Sequence, residues 1–399
     1  MNDIVMMVYK QVKITIKNVL KKTKVYMVIN NFFQFQRPSL SLVCNINIDY
    51  TKKQPRILIS YISDPLRNLR AENGHTNFLE VLQIIHFYIS KGFIIDITNA
   101  NDTGVLSYIK NTKYDFIFGF GEVFFFMTKK NPNVNNCIYV TENAPDFSSE
   151  KESERIKYFY ERHGRKVSYL RTGVFFKNEH FKFANNAIVM GIESYFKKFN
   201  FNKLLTINPT GHRNTNFTEV YTISERMKKS FLWFGSTGAV HKGLDILIDV
   251  VQRNHDFELH ICGLREKYLC KNMMQKYKNI YNHGFIDINS QKFIDIIKLV
   301  AFMILPSCSE AMSTAVLTVA RHGVLPLLLR NVGMDRLTDH VFWLDDFKVE
   351  YIEKKMREVS KLDSDFLLQK SHALQKYADK EFCLTTFSEN FKKCMDEIL

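Results

Sequence analysis

The chain has 399 residues, more than one hydrophobic core usually organises, which favours two domains of about 150–200 residues each. With 46% hydrophobic and 24% charged residues it is apolar enough to fold and too charged for a multispan membrane protein. The net charge of +14 attracts phosphorylated ligands, anionic lipid or nucleic acid, but no nucleic-acid recognition motif or aromatic-interleaved basic patch accompanies it, so no nucleic-acid partner is expected.

Six lysines (Lys10, Lys13, Lys17, Lys21, Lys22, Lys24) stand in the first 24 residues against one acid, Asp3. Apolar residues recur beside them at Val8, Val12, Ile16 and Val19, which suits a basic amphipathic helix lying on an anionic membrane surface. The β-branched content of the segment equally suits packing against a core, or a strand. No apolar leader with a small-residue cleavage site opens the chain, and no run of about 18 apolar residues occurs in it. The expected location is cytoplasmic, with the basic segment as a route to the inner membrane face. The seven cysteines lie far apart, with no CxxC pair and no His/Cys cluster at metal-ligand spacing, and read as reduced core thiols.

After Pro55, residues 56–62 have the apolar run of a buried strand, followed by a polar loop through Asn73-Gly74-His75-Thr76-Asn77 and a helical pattern over 78–90. Lys91-Gly92 closes that helix, and residues 93–97 supply a second strand, the order expected of parallel α/β folding. Further strands fit at 116–120, 137–141, 186–190 and 204–208, with a charged helix-favouring run at 149–163 ended by Gly164. Pro209, Gly211, Asn214, Thr215 and Asn216 mark a linker near 208–226. A second series opens with a strand at 231–234, the loop Gly235-Ser236-Thr237-Gly238 and a helix over 243–251. Apolar strands at 257–262, 280–285, 302–305, 325–329 and 341–344 complete it. The reading is α/β, two Rossmann-like parallel-sheet domains facing a cleft. Residues 1–54 form a basic extension, 55–215 the first domain and 225–375 the second, while 376–399 form a helix placed to pack back on the first.

In such sheets ligands sit beyond the carboxyl ends of strands, where backbone amides and helix dipoles meet anions. Two strand ends carry chemistry. Gly235-Ser236-Thr237-Gly238-Ala239-Val240-His241-Lys242-Gly243 combines close backbone approach with a lysine point charge suited to a diphosphate. About 70 residues later, Pro306-Ser307-Cys308-Ser309-Glu310-Ala311-Met312-Ser313-Thr314 places a carboxylate and small hydroxyl residues before another helix.

The combination, together with His322-Gly323-Val324-Leu325-Pro326, resembles the retaining GT-B glycosyltransferases of the glycosyl transferases group 1 family (family 4-like). That family has a glycine loop, a Lys-Gly pair, a Ser-Glu-Gly helix entry with a second Glu eight residues on, and a Gly-x-Pro strand. Lys91-Gly92-Phe93 is similar to its "RGH" helix end. The resemblance implies a GT-B fold and transfer of a hexosyl group, with retention, from a nucleotide-diphosphate sugar to a glycan or glycolipid hydroxyl in bacterial surface-polysaccharide or glycolipid synthesis. No DxD-like metal site stands on a matching loop, so no metal and no cofactor are expected. Lys242 and Glu310 would be catalytic. Donor contacts would come from Gly74, Gly235, Ser236, Lys242, Glu310, Met312, Ser313, Thr314 and Thr318.

The chain departs from that pattern at three positions: Ser236 stands for the family's Arg, Ala311 for the Gly after the first Glu, and Thr318 for the second Glu, which grips the ribose. The N-domain histidine near the donor sugar is also absent, the matching stretch reading Tyr139-Val140-Thr141-Glu142-Asn143-Ala144-Pro145. Glu142, Asn143 and His75 are therefore candidate sugar or acceptor contacts, with capping or structural roles as the alternative. His163 is a lone histidine open to either reading. A GT-B protein that binds a nucleotide sugar, a membrane or a protein without turnover is the competing functional class.

Overall fold

The computed structural model describes residues 40–67, 76–167, 176–217, 222–266 and 277–399. The lysine-rich segment 1–24, Gly74 and His75 lie outside the described residues.

Two twisted sheets carry the fold. The first is ordered β1-β3-β2-β4-β5-β6-β7, formed by Val43–Ile46, Ile94–Asn99, Arg56–Tyr61, Phe116–Gly119, Asn135–Val140, Asn186–Val189 and Lys203–Thr206. All its pairings are parallel except that of β1, which runs antiparallel to β3. The second is fully parallel and ordered β10-β9-β8-β11-β12-β13, formed by Ile280–Gly284, Glu258–Cys262, Ser230–Phe234, Phe302–Leu305, Leu325–Leu329 and Phe342–Leu344. The strands at the centre of each sheet are almost wholly buried and mostly apolar because helices cover both faces, with Ser60 of β2 the buried polar exception among the four central strands. The order reverses between β8 and β11 in the second sheet and between β2 and β4 in the first. Crevices open at these switch points, beyond the carboxyl ends of the strands.

Two expected boundaries differ from the structure. The first sheet includes β1, which lies inside residues 1–54, so the extension is not wholly separate from the first domain. Its pattern is only half buried, and Asn45 and Asn47 adopt φ of 61° and 65°, so no apolar run announces it. The boundary at 375/376 falls inside a continuous helix, Ser364–Glu381, because no breaker interrupts it. The next helix, Leu384–Ile398, starts at Cys383, whose Sγ accepts the Thr386 amide hydrogen.

The helices that position the site are α1 (Thr76–Ser90), α2 (Gly121–Lys130), α3 (Pro145–His163), α4 (Leu244–Arg253), α5 (Gln291–Ile297), α6 (Thr314–Ala320), α7 (Val349–Ser360), α8 (Ser364–Glu381) and α9 (Leu384–Ile398). The last, α9, belongs to the core of the first domain: Phe387, Phe391, Met395 and Ile398 are buried there. Phe391 packs edge-on against Phe87 and Phe118, and Tyr88 Oη donates to Met395 Sδ over 3.6 Å. Each such aromatic anchor contributes about 1.5–3 kcal/mol of burial.

Helix α3 crosses the other way. Pro145 at its first position and Asp146 in its first turn favour its start, and Gly164 at φ 63° ends it behind Arg162 and His163. Although α3 follows β5 of the first sheet, its Phe159 is buried in the core of the second domain. The described cysteines are unpaired, and Cys44 on β1 is exposed, which corrects its reading as a core thiol.

Candidate functional site

The two chemistry-bearing loops leave the carboxyl ends of β8 and β11, which are neighbours at the switch point of the second sheet. Glycine geometry brings them into contact. Gly243 caps α4 at φ 72°, and a Cβ there would lie 2.5 Å from the Pro306 ring. Backbone bonding continues the junction, with the Cys308 amide donating to the His241 carbonyl at 3.0 Å. On the other side Trp233 Nε1 donates to the Lys242 carbonyl at 3.2 Å, and the indole ring fills the space beside Gly235.

This packing brings Lys242 and Glu310 together. Lys242 Nζ donates to Glu310 Oε1, which also accepts from Ser307 Oγ at 3.4 Å. Both residues are over 90% buried. Removing two charges from water costs several kcal/mol per ion, so the pair persists only through its geometry and the supporting hydrogen bonds. The backbone of Glu310 is held by a parallel bridge to Val332, its carbonyl accepting from the Gly333 amide at 3.0 Å.

Behind the pair sits a second cation. His241 Nε2 donates to the Ser309 carbonyl at 2.5 Å, while Nδ1 lies 3.1 Å from Glu152 Oε1 and 3.3 Å from Cys308 Sγ. Burial alone pulls the imidazole pKa down, but Cys308, Glu152 and Glu310 together outweigh it and lift it to about 9. Both ring nitrogens face acceptors, so the imidazolium is the satisfied form.

Glu152 comes from α3, and one face of that helix is fastened to the second domain along its length. Ser148 Oγ and Ser309 Oγ are 2.9 Å apart, and the buried Arg155 guanidinium donates to the Pro306 carbonyl and lies 4.5 Å from the Phe347 ring centroid. Tyr158 Oη accepts the Val349 amide hydrogen at 2.9 Å. Arg162 donates to Asp245 and Asp249 of α4.

Asn143, just before α3, adds a bridge between the domains at the ion pair itself. Its Nδ2 donates to the Glu310 carbonyl at 2.8 Å and faces the Asn331 carbonyl at 3.2 Å and Ser309 Oγ at 3.3 Å. The side chain therefore holds Glu310 in place from the opposite domain.

The remaining expected residues are scattered around this centre. Gly235 lines the loop and Ser236 is exposed on it, while Met312 and Ser313 are buried and Thr314 half-buried at the entry to α6. Thr318 faces the linker, where its Oγ1 accepts the His212 amide hydrogen at 3.0 Å. Glu142 is half-buried at the end of β5. His163 belongs to the α3–α4 contact, with Nε2 3.5 Å from Asp249. The sequence does not reveal His241, Ser309 and Asn331 as neighbours of the ion pair, nor Arg155 as the buried cation on Pro306. The spacing of Ser148, Glu152, Arg155, Phe159 and Arg162 is helical and marks one face of α3, a legible signal of docking.

Two Rossmann-like domains, joined through α3 and Asn143 beside a lysine–carboxylate pair of the second domain, define a protein of the GT-B architecture. No family model matches the chain, and no curated protein matches it by sequence. Solved structures do match it by shape. HepE of Anabaena in complex with UDP aligns at 10% identity and TM-score 0.59, over 86% of this chain and 100% of that one. Sucrose-phosphate synthase from Thermosynechococcus elongatus aligns at 10% identity and TM-score 0.57, over 86% and 99%. WaaG, a glycosyltransferase involved in lipopolysaccharide biosynthesis, aligns at 12% identity and TM-score 0.55, over 86% and 99%. At these identities the likeness establishes the fold. No helix among the described residues is long and apolar enough to cross a membrane.

Proposed function

We propose that this protein is a retaining glycosyltransferase that moves a hexosyl group from a nucleotide-diphosphate sugar to an acceptor hydroxyl. The observation that carries the reading is the meeting of Lys242 and Glu310 at the switch point of the second sheet. In this reading Lys242 leaves Glu310 to take the donor diphosphate, and Glu310 is freed to accept hydrogen bonds from sugar hydroxyls. As the glycosidic bond to the diphosphate breaks, negative charge grows on the leaving oxygens. The Lys242 ammonium, the loop amides and the α4 dipole stabilise it without reorganising. His241 adds positive charge behind the loop, partly offsetting the family Arg that Ser236 replaces. Asn143 holds the backbone of Glu310, whose carboxylate orients the sugar, and domain closure keeps water from the donor. No divalent cation is needed to neutralise the leaving group in this scheme.

The solved neighbours support the substrate class: HepE is described with UDP, UDP-glucose and glucose bound, and WaaG acts in lipopolysaccharide biosynthesis. By analogy the acceptor is a glycan or glycolipid of bacterial surface-polysaccharide synthesis. The basic segment before residue 25 would hold the enzyme on an anionic membrane from the cytoplasmic side.

The test is a panel of labelled nucleotide sugars with wild type, Lys242→Ala and Glu310→Gln. One donor is expected to bind and turn over. Lys242→Ala should weaken donor binding at least about tenfold, the scale of one charge-assisted contact. Glu310→Gln should lower turnover more than binding. Donor binding by Lys242→Ala equal to wild type sinks the assignment, provided circular dichroism shows the variant folded.

A further inference from the structure

A third strand end reaches the loop after β8. Gly263 follows β9 at φ 83°, and a Cβ there would lie 1.9 Å from the Gly235 carbonyl oxygen, so the two loops meet backbone to backbone. The Gly235 amide donates to the Cys262 carbonyl at 3.1 Å, and the Gly263 amide to Gly284 at 2.7 Å, which fixes the approach. Three residues further on, Glu266 turns its carboxylate onto the loop. Its Oε1 accepts from two successive backbone amides, those of Gly238 and of Ala239, the latter at 3.0 Å. Its Oε2 is buried with no hydrogen-bond partner among the described residues.

A carboxylate oxygen held by consecutive amides takes the position that a phosphate oxygen takes in a backbone nest. The nest is one turn from Lys242, whose amide donates to the Gly238 carbonyl at 2.8 Å. Both parts of the diphosphate half are thus satisfied from within the chain, the amides by Glu266 and the ammonium by Glu310. The two carboxylates differ in kind. Glu310 Oε1 is shared by its lysine and its serine, and Oε2 is not among the buried atoms left without a partner, whereas Glu266 has one oxygen in the nest and one buried without a partner, at the cost that such an atom carries.

We propose that Glu266 is an internal stand-in for the donor's phosphate: it fills the Gly238–Ala239 nest in the ligand-free protein, and a nucleoside diphosphate binds by displacing it. The inference rests on the donor-site reading and adds to it the residue that sets the affinity of that site for phosphorylated ligands. Displacement exchanges one anion for another at the same amides, so the native side chain weakens every diphosphate that binds there. It discriminates against ligands whose phosphate contacts are too few to compensate.

The experiment is calorimetric titration of inorganic pyrophosphate and uridine diphosphate into the full chain as wild type, Glu266→Ala, Glu266→Gln and Lys242→Ala. Emptying the nest with Glu266→Ala should tighten both ligands by about tenfold, the scale of one charge-assisted hydrogen bond. Glu266→Gln keeps an acceptor oxygen without the charge and should fall between alanine and wild type. It also carries the test if the alanine variant fails to fold, since a glutamine affinity no tighter than wild type then overturns the proposal. If the ligands bind wild type and lose affinity to Lys242→Ala, but Glu266→Ala binds them equally or more weakly, Glu266 is not a competitor and the donor site stands. If neither wild type nor Glu266→Ala binds either ligand, the inference and the donor-site reading fall together.

Discussion

Glu80 fastens the interdomain linker to the first domain, and its replacement by glutamine has a calculable pH signature. Its Oε1 accepts from the Thr210 amide at 2.6 Å and from Thr210 Oγ1 at 2.9 Å. Its Oε2 is buried without a partner among the described residues, as are the hydroxyls of Tyr61 and Tyr139, whose rings lie 5.5 Å apart. Burial drives the Glu80 pKa up from 4.5 to about 7, against the opposing pull of the two Thr210 hydrogen bonds. The folded state then holds a proton that the unfolded chain has released. The stabilisation is full below about 4.5 and is lost as pH rises through about 7. A difference of about 2.5 at 1.36 kcal/mol each corresponds to roughly 3 kcal/mol. Glu80→Gln keeps the acceptor for Thr210, adds donors toward the phenol oxygens and cannot ionise. Urea unfolding at pH 5 and pH 8, followed by circular dichroism, should find the variant about 1–3 kcal/mol more stable than wild type at pH 8 and close to it at pH 5. The same pH slope in both proteins, or a variant less stable at pH 8, would refute a buried, proton-holding Glu80.

The bridges between the domains make two further predictions. Asn143→Ala removes the donors facing Glu310, Ser309 and Asn331, but the Glu310 carbonyl keeps the Gly333 amide, so the stability loss in a thermal melt should be only about 1 kcal/mol. Turnover should fall further than that loss implies, because the backbone that carries the Glu310 carboxylate loses its support from the opposite domain; an unchanged kcat would remove Asn143 from the positioning role. Arg162→Ala leaves Asp245, which is fully buried, facing α3 without its cation, and should cost about 3 kcal/mol in urea unfolding. Arg162→Lys should recover only part of this, since one ammonium cannot reproduce the two-pronged contact.

Much of this architecture is legible along the chain, because buried parallel strands appear as short apolar runs and the functional loops follow them directly. The loops that carry Lys242 and Glu310 can be placed after strand ends for that reason, whereas the contact of the two side chains across 68 residues needs the structure. The features that escaped are those whose partner is distant. Thr318 reads as a donor contact in place of the ribose-gripping Glu until the linker lays the His212 amide against it. His241 reads as a neighbour of the lysine until Glu152 and Cys308 surround it. The face of α3 is visible as helical spacing, but spacing cannot say that the partner is the other domain. β1 lacks the apolar run that marked its neighbours.

The contacts around the centre together bear on how a ligand must enter. Lys242 is neutralised by Glu310, His241 by Glu152 and Arg162 by two aspartates of α4, while the nest amides are taken by Glu266. These pairs differ in what they connect. Lys242–Glu310 and Glu266 with its nest lie wholly within the second domain, whereas His241–Glu152, Arg162–Asp245 and Asn143–Glu310 join the second domain to α3 and the segment before it. An anionic ligand can therefore compete for the first set without breaking the second. Opening the Lys242–Glu310 pair leaves a buried carboxylate that must find new partners, and the loss is offset only by a ligand carrying both an anion for the lysine and hydroxyls for Glu310. A bare phosphate meets the first need and a free sugar the second. Under the proposed function, the arrangement favours a ligand that joins the two, as a sugar phosphate or diphosphate does.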